Sequence, residues 1–181
     1  MADLASTTGT WLIDPAHTNI GFSTRHAMVA KVRGNFGEYE GTFTLDGANP
    51  GASTAALTIV ASSIDTGNAD RDAHLKSPDF LDADQYKEIT FRSTKVTQKS
   101  DDEFVVTGDL TIHGTTKSVD VKFELLGVSQ DPWGNTKIGF EGEAKISRKE
   151  FGLEWNAVLE TGGVLVGDEI KLNLDVEATK A

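Results

Sequence analysis

Apolar and polar residues alternate along most of this chain with a period of two. In the segment 136–147, the even-numbered positions are apolar or small, and the odd-numbered positions are mostly charged. The segments 117–128 and 169–180 follow the same pattern. Such alternation is typical of antiparallel strands with one buried face and one solvated face. Shorter stretches of the same kind bring the predicted strands to eight; they are residues 19–27, 35–45, 54–61, 88–96 and 103–112.

Short segments rich in turn residues join most of these strands, for example HGTTK at 113–117 and DPWGN at 131–135. Antiparallel strands with hairpin links predict an all-β fold, either a closed up-and-down, lipocalin-like barrel or a two-sheet sandwich. The eight-stranded barrel is favoured because closure removes exposed sheet edges. We expect one barrel domain over residues 10–178 and a flexible N-terminal segment over residues 1–9.

The predicted inward face of the strands carries many small residues beside large ones. Gly37, Gly41, Ala55, Gly108 and Gly142 are among them, and a packed core would need bulkier side chains. We therefore predict an elongated apolar cavity. The alternative is a filled barrel in which the strand glycines mark bulges and bends. The inward residues predicted to contact a ligand are Phe22, His26, Leu57, Ile59, Phe91, Phe123 and Phe140.

The connection at 62–87 is the longest interruption of the alternation, and it gathers charge in TGNADRDAHLKSPDF. Its centre is predicted to be a short helix, with Thr66 or Asn68 as the N-cap and Pro78 ending it. We interpret this helix as a lid, with Arg71 and His74 giving polar contacts to a ligand. Asp70 and His74 are four residues apart, a spacing at which both could bind one metal ion. No third ligand is indicated, so no metal site is predicted.

Composition narrows the classes of function. The chain has 181 residues, a net charge of −11 and no cysteine. The negative charge argues against nucleic acid and against an anionic membrane surface. The lack of cysteine removes disulfides, thiolate metal sites and thiol nucleophiles. No apolar run is long enough to span a membrane and no leader is visible at the N-terminus, so we expect a cytoplasmic protein without stable membrane insertion.

Several motifs in a fixed order resemble the YceI-like family of lipocalin-like proteins. They are WLIDPAHTNIGFSTRH, IDTGNADRDAHLKSPDFLD, ITFRS, VTGDLTIHGTTK, SRKEFGLEW and VGDEIKL. The resemblance implies a barrel that binds long amphiphilic molecules such as polyisoprenoids or isoprenoid quinones, with no established catalysis and, in many members, a homodimer. It matches Arg71 and His74 to an RDxHL segment and His17 and His26 to two N-terminal histidines. It also adds Trp155, in FGLEW, to the residues expected to line the cavity.

The sequence therefore predicts binding, storage or transport of an isoprenoid-type lipid, with no cofactor and no catalytic residue. One alternative is an enzyme acting on a lipid or quinone, in which His26, His74 and Arg71 would converge on one buried point. Another is a filled barrel that serves as a stress-related scaffold and exposes an apolar patch.

Overall fold

The computed structural model describes residues 3–157, 159 and 165–181. Within them the chain forms one antiparallel sheet of eleven strands and one α-helix, α1 (Ala69–Lys76). Short 3-10 helices occur at Leu4–Thr7, Pro15–His17, Pro50–Ala52, Ala61–Ser63 and Arg148–Phe151. The strands are β1 (Gly9–Ile13), β2 (Asn19–His26), β3 (Ala30–Phe36), β4 (Tyr39–Leu45), β5 (Thr54–Val60), β6 (Ile64–Asp65), β7 (Glu88–Gln98), β8 (Glu103–Ile112), β9 (Thr115–Gln130), β10 (Thr136–Ser147) and β11 (Glu169–Lys180).

The sheet closes into a barrel through its first and last strands. Neighbouring strands follow the order β1-β4-β5-β7-β8-β9-β10-β11, and β11 pairs back with β1. Trp11 lies opposite Lys180 and Ile13 lies opposite Ala178 in this closing pair. The predicted eight-stranded antiparallel barrel is therefore confirmed, and the sandwich alternative is wrong.

The three remaining strands prolong three of the barrel strands, each after a short interruption in the strand. β2 continues β1, β3 leads into β4, and β6 continues β5, while β2 pairs with β11 and β3 with both β2 and β6. The interruptions lie side by side: the Gly37 amide donates to the Ser63 carbonyl at 3.1 Å, and the Tyr39 hydroxyl donates to the Thr18 carbonyl at 2.7 Å. We call this row of interruptions the crease and the strands β2, β3 and β6 the panel.

The structure differs from the predicted strands at the crease. The segment 35–45 forms parts of two strands, because the chain turns at Gly37 and Glu38, and the prediction also lacked β1 and residues 30–34. The predicted helix is confirmed in α1, and its N-cap is Asn68, whose Oδ1 accepts from the Arg71 amide at 2.9 Å.

Two hydrophobic clusters lie at opposite ends of the barrel. At one end the side chain of Trp11 is fully buried, and its Nε1 donates to the Thr7 carbonyl at 2.8 Å. Thr7 belongs to a 3-10 helix within the N-terminal segment expected to be flexible. At the other end, which we call the helix end, Leu81, Phe151 and Leu153 pack with residues of α1 and the barrel strands.

Candidate ligand-binding cavity

The barrel contains a cavity of about 310 Å³ with an apolar lining. The lining runs from Leu4 and Leu45 near Trp11 to Leu81 and Phe151 at the helix end. Several lining side chains are only partly buried within the packed barrel, because they border this space rather than another side chain. Six residues predicted from strand parity lie in the lining, namely Phe22, Leu57, Ile59, Phe91, Phe123 and Phe140.

The inward glycines were expected to border empty space. Some of them are instead covered by aromatic rings. A Cβ on Gly142 would lie 2.5 Å from the ring of Phe123, and one on Gly108 would lie 2.4 Å from the ring of Phe91. The small size of these two glycines therefore does not add directly to the cavity, because aromatic rings fill the space beside them. These glycines let a cross-strand ring lie flat on the wall, an arrangement that stabilises glycine-containing strands.

The helix end of the cavity is closed by side chains from the long connection. Leu75 of α1 lines the cavity, and so do Phe80 and Leu81 in the turn that follows. Phe80 is 6% exposed and Leu81 is 8% exposed, so this turn is part of the packed end of the barrel. The connection thus has the covering position expected of a lid.

The two polar lid residues bond locally instead of reaching the cavity. Arg71 donates from Nε to Thr66 Oγ1 at 2.7 Å and from Nη2 to the Thr66 carbonyl at 2.8 Å. Asp72 accepts from the Thr66 amide at 2.9 Å. His74 Nε2 lies 2.9 Å from an Asp79 carboxylate oxygen. Neither Arg71 nor His74 is among the lining residues.

The remaining predicted contacts lie just outside the lining. Trp155 packs edge-on against His74, with ring centres 4.6 Å apart, and against Phe80 at 5.4 Å. It therefore supports the cavity wall through Phe80. His26 was expected to point inward, but it is exposed at the end of β2, where its backbone forms a bridge with Val166.

Arg148 is a lining residue that the sequence analysis missed. It is 3% exposed and donates hydrogen bonds to four backbone carbonyls. The acceptors are Gly167 at 2.9 Å, Leu153 at 2.6 Å, Trp155 at 2.9 Å and Val166 at 3.2 Å. The guanidinium therefore ties residues 153–155 and 166–167 to the end of β10.

The electrostatic environment of Arg148 is set mainly by burial. Burial lowers the pKa of its guanidinium, whereas the nearby Asp168 carboxylate raises it. No carboxylate of the described residues lies within 4.0 Å of this guanidinium, so its charge is met by carbonyl dipoles. A sequence signal for Arg148 existed: the inward parity of Ala144 and Ile146 continues to position 148.

A charged cluster lies on the outside of the barrel at the crease. Ligand atoms of Asp14, His17 and Glu177 lie within 4.8 Å of one another. Lys137 Nζ lies 3.3 Å from Asp14 and 3.8 Å from Glu177, so a cation already neutralises these carboxylates. The hydrogen bond between His17 and Asp14 raises the pKa of His17 and lowers that of Asp14.

The geometry required by the enzyme alternative is not formed in the described part of the chain. His26, His74 and Arg71 make separate local contacts, and none of them borders the cavity. Catalysis would need two or more such groups within hydrogen-bond reach of one reacting atom. The arrangement instead provides an apolar enclosure with one buried cation at its helix end.

Comparison with known proteins places this barrel in a family. The sequence model of the YceI-like domain matches residues 11–178. The chain belongs to the YceI-like family. A related family member, YceI of Escherichia coli O157:H7, is 43% identical over 138 residues, which cover 76% of this chain and 72% of that protein.

Solved structures share the YceI-like fold. BcnA of Burkholderia cenocepacia superposes with a TM-score of 0.79 at 25% identity, covering 92% of this chain and 99% of that one. A polyisoprenoid-binding domain from Saccharophagus degradans gives a TM-score of 0.71 at 13% identity, covering 94% and 98%. The fold predicted from the motifs is confirmed. Among the described residues, no helix is long and apolar enough to cross a bilayer.

Proposed function

We propose that this YceI-like barrel binds the hydrophobic tail of a long amphiphile of the isoprenoid class and acts as its carrier. The observation that carries the proposal is the cavity of about 310 Å³ with its apolar lining. An apolar void does not hold water stably, because water there lacks hydrogen-bond partners. A hydrophobic chain is the occupant that suits such a lining.

The volume sets the length of chain that fits. An apolar protein cavity of ~150 Å³ accommodates a six-carbon ring, so this one has room for about a dozen carbons, or roughly two isoprene units. At ~0.8 kcal/mol per buried carbon, the gross gain is on the order of 10 kcal/mol. Association costs of at least ~4 kcal/mol leave on the order of 6 kcal/mol, or a dissociation constant of tens of micromolar.

Support for the isoprenoid class comes from the fold relative of S. degradans, which is described as a polyisoprenoid-binding domain. The lining favours an apolar chain, since most of its side chains are aliphatic or aromatic. Two of the lining residues are charged: Arg148, which is buried at the helix end, and Asp46, which follows Leu45 towards the other end. A head with negative charge is therefore better accommodated beside Arg148 than at the other end, where it would meet the Asp46 carboxylate.

Titration calorimetry with geraniol, farnesol and geranylgeraniol tests the proposal. Affinity is expected to rise from geraniol to farnesol and then to level off, because carbons beyond about a dozen find no further cavity wall. A Leu57→Trp variant should fill the space and abolish binding, whereas Leu12→Trp, at a side chain 49% exposed on β1, should bind normally. Equal binding by both variants, or no binding of any of the three alcohols, would refute the carrier function.

A further inference from the structure

The hairpin formed by β2 and β3 has a charge opposite to that of the rest of the protein. The chain carries a net charge of −11, yet it has no acidic residue from Pro15 to Gly37. This stretch contains Arg25, Lys31 and Arg33, all exposed. Arg25 lies directly opposite Lys31 in the β2–β3 register, a pairing of like charges that does not stabilise a sheet.

A fourth cation joins the hairpin across the neighbouring strand. Lys171 of β11 lies opposite Ser23, which in turn lies opposite Arg33. Lys31, Arg33 and Lys171 border one shallow groove on the outer face, where Asp65 is the acidic member of the lining. In the described part of the chain, none of these four cations has a carboxylate within 4.0 Å.

The tip of the same hairpin is apolar and exposed. Met28 is 66% exposed and Val29 is 83% exposed. Ala27 and Met28 have φ angles of 50° and 61°, and the Val29 amide donates to the His26 carbonyl at 3.2 Å, which makes a tight reverse turn. This turn type normally takes Asn or Gly at its two central positions, so Ala27 and Met28 are not the residues that the backbone would select there.

Protection of a sheet edge explains only part of this pattern. Residues 30–34 of β3 pair with β2 alone among the described strands, and lysines on such an edge discourage aggregation. Protection of the β3 edge does not require an apolar turn, and it does not explain the cations Arg25 and Lys171, which lie on β2 and β11. Cations around exposed apolar side chains are instead the combination that binds at the interface of an anionic bilayer.

We propose that the β2–β3 hairpin docks the protein on an anionic lipid surface, with Met28 and Val29 entering the interface and Arg25, Lys31, Arg33 and Lys171 facing the headgroups. The acidic remainder of the surface is repelled by the same membrane, so the hairpin sets the orientation. Phe22 and Thr24 in the stem of this hairpin also line the cavity. The docked element is thus continuous with the cavity wall, although the docking itself does not depend on which ligand the cavity holds.

Vesicle flotation tests the proposal. The protein is expected to bind vesicles of equimolar phosphatidylcholine and phosphatidylglycerol, not phosphatidylcholine alone, and to bind less as salt rises to ~0.15 M. Combining Lys31→Gln with Arg33→Gln should lower partitioning by about twenty-five-fold, at roughly five-fold per cation. Combining Met28→Ser with Val29→Ser should lower it by about ten-fold, because less apolar surface enters the interface.

Matched controls lie on other strands. The pair Lys95→Gln and Lys117→Gln removes the same charge from exposed positions, and Trp133→Ser removes an apolar side chain that is 83% exposed at the β9–β10 turn. These variants should partition like the wild type, and all variants should retain its unfolding midpoint. Equal losses in the controls, or no binding to anionic vesicles at low salt, would overturn the proposal. The proposal would also be overturned if the hairpin substitutions abolished self-association of the protein but left its binding to vesicles unchanged.

Discussion

Replacing Gly142 by Ala provides a direct test of how aromatic rings set the size of the cavity. The new Cβ would lie 2.5 Å from Cε1 and 2.8 Å from Cδ1 of Phe123, and no backbone atom is among its three nearest neighbours. An ordinary contact begins at 3.4 Å, so the ring must move by about 0.9 Å. Since Phe123 lines the cavity, we expect it to move inward, and the added methyl group costs about one methylene of ligand space.

The expected loss of binding follows from that volume. At ~0.8 kcal/mol per methylene, farnesol should bind about four-fold more weakly to Gly142→Ala. Moving the ring against an open space should cost at most about 1 kcal/mol of unfolding free energy, the low end for overpacking. Titration calorimetry with farnesol and urea unfolding measure the two quantities.

A control on the same strand separates the ring from the general effect of removing a glycine. A Cβ on Gly139 would meet Leu126 Cβ at 3.8 Å and the Val176 carbonyl at 4.0 Å, both ordinary contacts. Gly139→Ala should therefore bind farnesol like the wild type. If the two variants had the same affinity, the inference that Phe123 limits the cavity through its position on Gly142 would be wrong.

Three further changes have defined outcomes. Arg148→Met should lower the free energy of unfolding in urea by about 3 kcal/mol, since it leaves buried carbonyls without donors, and Arg148→Lys should restore part of this loss. His17→Gln removes one cationic partner of Asp14 and leaves Lys137 in place. Because the folded pKa of His17 is raised, the advantage of the wild type in unfolding free energy should be complete below pH 6.5 while Asp14 is ionised, and should vanish as the pH rises through that folded pKa. The same advantage should fade in acid as Asp14, whose pKa is lowered below 3.8, becomes protonated, and urea unfolding across this pH range measures both limits. Asn68→Ala should destabilise α1 by about 1 kcal/mol through loss of its N-cap, measured as faster amide exchange in the helix, whereas Asn68→Ser should retain most of the protection.

Strand parity predicted the cavity wall because a barrel alternates inward and outward residues along every strand. Phe91 and Phe123 could be assigned on this basis alone, and both line the cavity. The same parity did not reveal that the rings cover Gly108 and Gly142, since the pairing of one strand with the next is not visible in a single strand. The alternation along one strand predicts whether a side chain points inward or outward, but it does not predict which residue of the neighbouring strand fills the space beside a glycine.

Polar residues were harder to place because their partners are set by tertiary structure. His26 shares the parity of Phe22 but lies where β2 has left the barrel wall, so its side chain is exposed. Arg71 was expected to give a polar contact to a ligand, and it bonds to Thr66 instead. The net charge describes the surface as a whole, and it did not reveal the basic hairpin formed by β2 and β3.

The crease has a mechanical consequence for the barrel. The panel is joined laterally by the β2–β11 pairing, and in the described residues no strand pairs with the outer edge of β6. Because Arg71 and Asp72 of α1 bond to Thr66 next to β6, α1 would move together with the panel. Swinging both outwards would separate side chains without breaking a ladder hydrogen bond of the eight closing strands. A flexible ligand chain could then enter the cavity through the side of the barrel, instead of passing end-first through one of its ends.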